Sequence, residues 1–169
     1  NVLPAVIAIM ARAGGEAEYA EFLERFRHAR SPQEEQRYLY ALADFPDADL
    51  ARRLLAMSIT DEVRTQNASL LLRRALVNRD QGVVAWDFVA REWETLNGRL
   101  PSNSIARMLE GVRSLSAPDV APRVFAFFED HEGPQRDKIH AQHLERLEVN
   151  VALRARESQR LADELLHRR

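Results

Sequence analysis

The sequence contains no cysteine, which excludes disulfide bonds, thiol catalysis and cysteine-ligated metal from its 169 residues. Lysine is almost absent too, since Lys138 is the single lysine and every other basic residue is arginine. The six glycines are scattered, so there is no glycine-rich phosphate loop. No apolar run approaches the roughly 20 residues that a membrane-spanning helix needs. We therefore predict no membrane partner, and the lack of cysteine favours a reducing compartment such as the cytoplasm.

Charges of the two signs are nearly balanced. The net charge is −2, with 46% apolar and 30% charged residues, which is typical of a globular domain. Arginine can mark phosphate recognition, but here it is interleaved with aspartate and glutamate along most of the chain. A nucleic-acid-binding helical repeat would instead present a continuous basic face. We therefore predict no nucleic-acid partner. A chain of this length is sufficient for one continuous core, so we also predict a single domain spanning residues 1–169.

The first residues, Asn1 to Pro4, contain neither the basic region nor the cleavage site of a signal peptide. They also lack an initiator methionine. We expect from this that the chain is a piece of a longer protein.

Apolar residues recur with the helical period along most of the chain. Spacings of i, i+3, i+4 and i+7 place each set on one face of a helix. No stretch alternates apolar and polar residues for long enough to indicate a strand. The pattern therefore predicts an all-α fold. The sets are Tyr19, Phe22, Leu23 and Phe26; Tyr38, Leu39, Leu42 and Phe45; Trp86, Val89, Trp93 and Leu96; Ile105, Met108, Leu109 and Val112; and Val120, Val124, Phe127 and Phe128.

Short loops separate the predicted helices. Gly14 is expected to end the first helix through the left-handed conformation that glycine adopts at little cost. Ser31 opens a capping box with Pro32 at the first helical position, and Asp47 is a further expected N-cap. Short loops make successive helices antiparallel, and hairpins repeated every roughly 30–40 residues are typical of an α-solenoid. We predict a HEAT- or armadillo-like superhelix of antiparallel helix pairs.

No residue pattern predicts a catalytic or metal centre. His140 and His143 share a helix face, but zinc needs three or four ligands, and Asp137 and Glu145 point elsewhere on the helix. The zincin spacing of two histidines with an adjacent glutamate is absent. Paired carboxylates such as Glu34 and its neighbour occupy helix starts and turns, where acidic side chains favour the helix dipole. We expect no catalytic residue and no metal ligand in this chain.

Five segments carry a more specific resemblance. They are residues 63–66 (VRTQ), 82–93 (GVVAWDFVAREW), 104–111 (SIARMLEG), 124–128 (VFAFF, followed by His131) and 147–151 (LEVNV). In this order and spacing they resemble the C-terminal helical domain of the zinc aminopeptidases of the aminopeptidase N family, above all the puromycin-sensitive and endoplasmic-reticulum branches. The family's C-terminal domain is longer than this chain, so the chain resembles its later portion.

The resemblance implies a function for the parent protein. An enzyme of this family removes N-terminal residues from peptides with one zinc ion, which an upstream thermolysin-like domain holds with two histidines and a glutamate. None of those motifs lies in this sequence. The resemblance also implies that the helical domain caps the active site as a bowl and excludes water from it. Its partners would be the upstream catalytic domain of the same chain and peptide substrates.

Particular residues follow from the same resemblance. If this chain contacts substrate, we expect Arg64 and Gln66, with their loop neighbours, to do so. Asn67 departs from the pattern, because the residue after Gln66 is usually acidic in these relatives. Asp44 stands where some relatives carry an arginine that holds the peptide C-terminus, so that role is not carried over.

A second hypothesis is compatible with the helical periodicity. A free-standing HEAT-like module would use its concave face to bind a protein partner. Periodicity alone does not separate this alternative from a domain of an enzyme.

Overall fold

The computed structural model of the protein describes residues 2–131 and 138–167, and these contain helices and turns but no strand. The predicted all-α class is confirmed, while the superhelical stacking of helix pairs stays a prediction. The described residues also contain two 3₁₀ turns, at Leu42–Asp44 and Glu110–Ser114. The described α-helices are α1 (Leu3–Ala13), α2 (Glu16–Arg27), α3 (Pro32–Ala41), α4 (Ala48–Ser58), α5 (Thr65–Val77), α6 (Gly82–Arg91), α7 (Trp93–Arg99), α8 (Ser102–Leu109), α9 (Ala121–Asp130) and α10 (Lys138–His167).

The chain divides into two compact units, residues 1–111 and residues 112–169. Unit 1 contains α1 to α8, and unit 2 contains α9 and α10. The expectation of a single domain stays a prediction. Across the described ranges, none of the helices is both long enough and apolar enough to cross a membrane.

Helix α5 is the central helix of unit 1. It contacts α3, α4, α6 and α8, because a broad buried face with many apolar side chains runs along it. A helix of this kind is stable only when neighbouring helices surround it. One side of α5 nevertheless stays polar and exposed, and the candidate site described below lies there. Its buried apolar residues are Ala68, Leu71, Leu72, Ala75 and Leu76.

Aromatic side chains fix α2 against α3 and the turn that follows. The Phe22 ring packs edge-on against Phe45, with centroids 5.7 Å apart, and against Tyr38 at 5.5 Å. Tyr19 meets Phe45 at 5.3 Å. Edge-on pairs of this kind add about 0.5–1.5 kcal/mol beyond the burial of their surface. The predicted apolar stripe of α2 is therefore confirmed as a core-facing surface.

Side chains cap α3 and α4 at the predicted positions. The Ser31 hydroxyl accepts a hydrogen bond from the backbone N–H of Glu34 at 3.2 Å. The Asp47 carboxylate accepts from the backbone N–H groups of Asp49 and Leu50 at 2.8 and 3.0 Å. Each cap satisfies N–H groups that the first helical turn leaves unpaired.

The predicted boundary at Gly14 is correct, but the predicted reason for it is wrong. Gly14 has φ −86° and ψ 165°, which is extended backbone and not the left-handed conformation. The absence of a side chain matters here for another reason. A Cβ atom would lie 2.6 Å from the carbonyl oxygen of Met10 and 2.9 Å from the Cβ of Glu18. Close approach of the chain, rather than a special dihedral angle, therefore favours glycine.

The sequence pattern predicts one helix through Trp86 and Leu96, but the structure divides it. Helix α6 ends at Arg91 and α7 begins at Trp93, and the intervening Glu92 has non-helical dihedral angles of φ −94° and ψ 18°. No glycine or proline marks this break in the sequence. Trp86 is fully buried in the core, whereas Trp93 is half-buried.

Unit 2 is built on contacts between α9 and α10. Its buried apolar residues include Val124, Phe128 and Leu147. The amide of Asn150 on α10 donates a hydrogen bond to the carbonyl oxygen of Arg113 at 2.8 Å, which ties the helix to the start of the unit. Gly133 and Pro134 are expected from the sequence to precede the last helix, and they lie outside the described residues.

The buried phenol of Tyr19 is expected to make the stability of the fold depend on pH. Burial raises the pKa of Tyr19 from 10.0 to about 12. Between pH 10 and 12 the folded chain therefore keeps a phenolic proton that the unfolded chain has lost, so stability falls as the pH rises through this interval. At 1.36 kcal/mol per pKa unit the loss is about 2–3 kcal/mol. Urea unfolding at pH 9 and pH 11.5 should show a smaller loss for Tyr19→Phe, and equal losses would contradict this origin.

Candidate functional site

Arg64 and Gln66 lie at the start of α5, and both side chains are exposed. Arg64 immediately precedes the helix, and its carbonyl oxygen accepts hydrogen bonds from the backbone N–H groups of Asn67 and Ala68. Its guanidinium Nη2 lies 3.5 Å from Oε2 of Glu35 on α3. The structure therefore places both predicted residues at the surface. That they face a substrate stays a prediction.

Asn67 is buried behind these two residues. Its Oδ1 accepts hydrogen bonds from Nε2 of Gln36 and from the Tyr40 hydroxyl, and its Nδ2 donates to Oε1 of Glu35, each at 3.4 Å. Burial, followed by the charge of Glu35, raises the pKa of Tyr40, which keeps its hydroxyl a donor. An amide suits this position because it donates and accepts at once, whereas an aspartate would set a second carboxylate beside Glu35. A carboxylate, that of Glu35, therefore lies within hydrogen-bond distance of Asn67.

A strip along α5 connects Gln66 to a groove in unit 1. Leu70, Arg73 and Val77 follow Gln66 at i+4, i+7 and i+11, which is one face of a helix. These three residues line the groove, whose volume is about 650 Å³. Gln66 therefore lies at the end of a continuous surface that leads into the groove. The other residues that line the groove are Arg12, Tyr40, Asp44, Arg74, Asn78, Arg79 and Asp80.

The groove carries more positive than negative side chains, with four arginines against two aspartates. Arg74 donates Nε to Oδ1 of Asp44 at 2.9 Å and Nη2 to Oδ2, which is a bidentate pair. This hydrogen bonding raises the pKa of Arg74. Arg79 pairs with Asp80 at 3.4 Å. Arg12 forms no hydrogen bond or ion pair with any described residue, so its guanidinium is available to a ligand.

The lining of the groove suits an anionic ligand with apolar parts. Arg73 reaches Glu110 at 2.9 Å, but its side chain is 45% exposed and keeps donors directed to solvent. Guanidinium groups bind carboxylates with charge-assisted hydrogen bonds, and Leu70 and Val77 add apolar contact beside them. Sequence reasoning missed these arginines. The helical spacing from Gln66 to Arg73 was the signal that could have found them.

Of the two histidines considered as metal ligands, the structure describes the side chain of His143. His143 is buried in unit 2, and its Nδ1 faces Nε and Nη2 of Arg113 at 3.1 and 2.7 Å. A guanidinium directed at this nitrogen repels a cation. The side chain of His140 lies outside the described residues. Within the ranges that the structure describes, no group of three histidine, aspartate or glutamate side chains could hold a metal ion.

Comparison with known proteins identifies the family. The family model of the ERAP1-like C-terminal domain matches residues 1–149. The chain belongs to the ERAP1-like C-terminal domain family. The resemblance to the C-terminal helical domain of the aminopeptidases is thereby confirmed.

Curated relatives of this ERAP1-like domain are much longer proteins. It is 30% identical over 151 residues to Aminopeptidase M1 of Arabidopsis thaliana, covering 87% of this chain and 17% of that protein. It is 26% identical to Aminopeptidase M1-B of Oryza sativa subsp. japonica, covering 89% and 18%. It is 31% identical over 106 residues to Aminopeptidase A of Gloydius brevicauda, covering 59% and 11%. The chain thus spans less than a fifth of the length of these relatives.

Proposed function

We propose that this chain is the non-catalytic C-terminal domain of a zinc-dependent aminopeptidase and that it encloses the substrate cavity of that enzyme. Membership of the ERAP1-like C-terminal domain family carries the proposal, together with relatives that are named aminopeptidases. The zinc ion and the hydrolytic groups belong, under this proposal, to the preceding domain of the same polypeptide. This chain contributes binding and the exclusion of water, and no step of bond cleavage. A cytoplasmic location is part of the same proposal.

The surface that would contact the peptide is the α5 strip and the groove. Gln66, Leu70, Arg73 and Val77 form one continuous line from the start of α5 into the groove. Such a line alternates polar side chains, an amide and a guanidinium, with apolar ones, which suits an extended peptide with its terminal carboxylate. Arg64 lies beside the start of this line. Its guanidinium lies near the carboxylate of Glu35, which also accepts a hydrogen bond from Asn67. Binding energy from this remote surface serves to position the scissile end of the peptide.

The test uses the full-length polypeptide with its preceding domain. Arg64→Ala combined with Gln66→Ala should raise KM for long peptides by about fivefold or more, since two exposed polar contacts at about 0.5–1.5 kcal/mol each contribute about 1–3 kcal/mol together. An aminoacyl amide, which is too short to reach α5, should keep its kcat and KM. Arg52→Ala on α4, where Arg52 pairs with Asp49, is the matched control. Equal effects on the long and short substrates would contradict the assignment of these two residues.

The competing proposal is a free-standing HEAT-like interaction module. It predicts that the polypeptide containing this chain has no aminopeptidase activity that a zinc chelator abolishes. Assay of the full-length protein with and without chelator separates the two. Chelator-sensitive release of N-terminal residues supports the enzyme, and its absence supports the module.

A further inference from the structure

Helix α1 is apolar on two opposite faces. Its sequence, LPAVIAIMARA, contains a single charged residue, Arg12. Ile7 and Ala11 are buried on the inner side, where α1 contacts α2, α3 and the 3₁₀ turn after α3. A second set points away from these contacts. At 100° per residue, its centre lies about 150° from that of Ile7 and Ala11. The second set is Val2, Val6, Ile9 and Ala13, and we name it the outer α1 face.

The outer α1 face is an unusual surface for unit 1. Ile9 is 67% exposed and Val2 is 77% exposed. Among the described residues of this unit, the only large exposed apolar side chains outside α1 and the residue before it are Val77 and Val83. A helix that is apolar on all sides is normally buried on all sides, and a continuous exposed apolar patch marks an interface. The composition of α1 is therefore that of an internal helix with one face uncovered.

The spacing of the outer face indicates what fits on it. Val2, Val6, Ile9 and Ala13 stand at i, i+4, i+7 and i+11, which is the repeat that packs a second helix along the first at a shallow crossing angle. The face carries no charge, so its partner presents apolar residues too. The covering element is thus a helix with an apolar stripe of the same spacing.

We propose that the outer α1 face packs against a helix from the part of the same polypeptide that precedes this chain. The family is a C-terminal domain, and the chain spans 17% of the length of its Arabidopsis relative, so most of such a protein lies outside it. A segment in the same polypeptide is present at high effective concentration, which favours it over a second copy. This inference rests on the proposed function only in placing the chain at the end of a longer polypeptide.

Photo-crosslinking tests the occupant directly. The full-length protein carries p-benzoylphenylalanine in place of Ile9, is irradiated, and is digested for mass spectrometry. A crosslink within one polypeptide to a peptide that precedes residue 1 is the expected result. A crosslinked dimer, a crosslink to a different protein, a crosslink to a segment that follows this chain, or no crosslink overturns the proposal.

Thiol accessibility supplies a second readout. Ile9→Cys in the full-length protein should react with maleimide about tenfold more slowly than Ala20→Cys, an exposed position on α2, with each rate divided by its own rate in urea. Equal normalised rates would overturn the proposal, and so would protection that disappears on dilution. Aminopeptidase activity of the same preparations is scored separately. Protection without chelator-sensitive activity would refute the proposed function alone, and activity without protection would refute the docking alone.

Discussion

Replacing Gly111 with alanine is expected to lower the free energy of unfolding by about 3 kcal/mol, as overpacking of a tight core does. A Cβ atom at this position would lie 2.6 Å from the Cβ of Leu76 and 2.8 Å from the carbonyl oxygen of Arg73. Leu76 is fully buried on α5, the central helix of unit 1. The 3₁₀ turn that contains Gly111 must therefore move away from α5 to admit a single methyl group.

The matched control is the same substitution at Gly98. This glycine lies in α7, and nothing lies within 4 Å of an added Cβ atom. Gly98→Ala should raise the free energy of unfolding by about 0.5–1 kcal/mol, because alanine loses less backbone entropy in a helix. Urea unfolding monitored by circular dichroism measures both variants. A rise in the free energy of unfolding at both positions would show that the close contact at Gly111 relaxes without cost.

Local signals in the sequence predict helical segments and the N-caps of α3 and α4, and the structure confirms these. Ser31 and Asp47 cap their helices because the groups involved lie within three residues of each other. Close contacts between distant segments carry no such local signal. Gly111 belongs to the segment SIARMLEG, but its meeting with Leu76 depends on how α8 and α5 pack. The break at Glu92 has no local signal either, because no glycine or proline lies at that point of the sequence.

The residues of the candidate site also divide into those that the sequence predicts and those that only tertiary packing brings to the site. The resemblance to the aminopeptidase domain predicted Arg64 and Gln66, which the structure places together at the start of α5. For Asp44, the same resemblance implied only that an arginine found in some relatives is missing. The structure shows that Arg74, 30 residues later in the chain, brings a guanidinium to that carboxylate. Ion pairs of this separation arise only from tertiary packing, so the pairing of Arg74 with Asp44 could not be predicted from spacing along the sequence.

Reversing the charge of Arg12 and Arg79 together should reduce kcat/KM of the full-length enzyme for long peptides about tenfold, or about 1.4 kcal/mol. Both arginines line the groove, and Arg79 is 92% exposed while Arg12 pairs with no described residue. Arg12→Glu with Arg79→Glu leaves a groove whose carboxylates outnumber its guanidinium groups. The groove would then repel the terminal carboxylate of a bound peptide.

The form of the substrate decides whether charge in the groove is the cause. A peptide with an amidated C-terminus should lose much less in the Arg12→Glu, Arg79→Glu variant than the same peptide with a free carboxylate. The loss for the free carboxylate should also shrink at high ionic strength, because salt screens exposed charges. The control variant, Arg25→Glu with Arg52→Glu, makes the same change in net charge outside the groove, at arginines paired with Glu21 and Asp49. An equal loss in that control variant would attribute the effect to long-range repulsion by the whole domain. An equal loss for the amidated peptide would show that the terminal carboxylate does not bind in the groove.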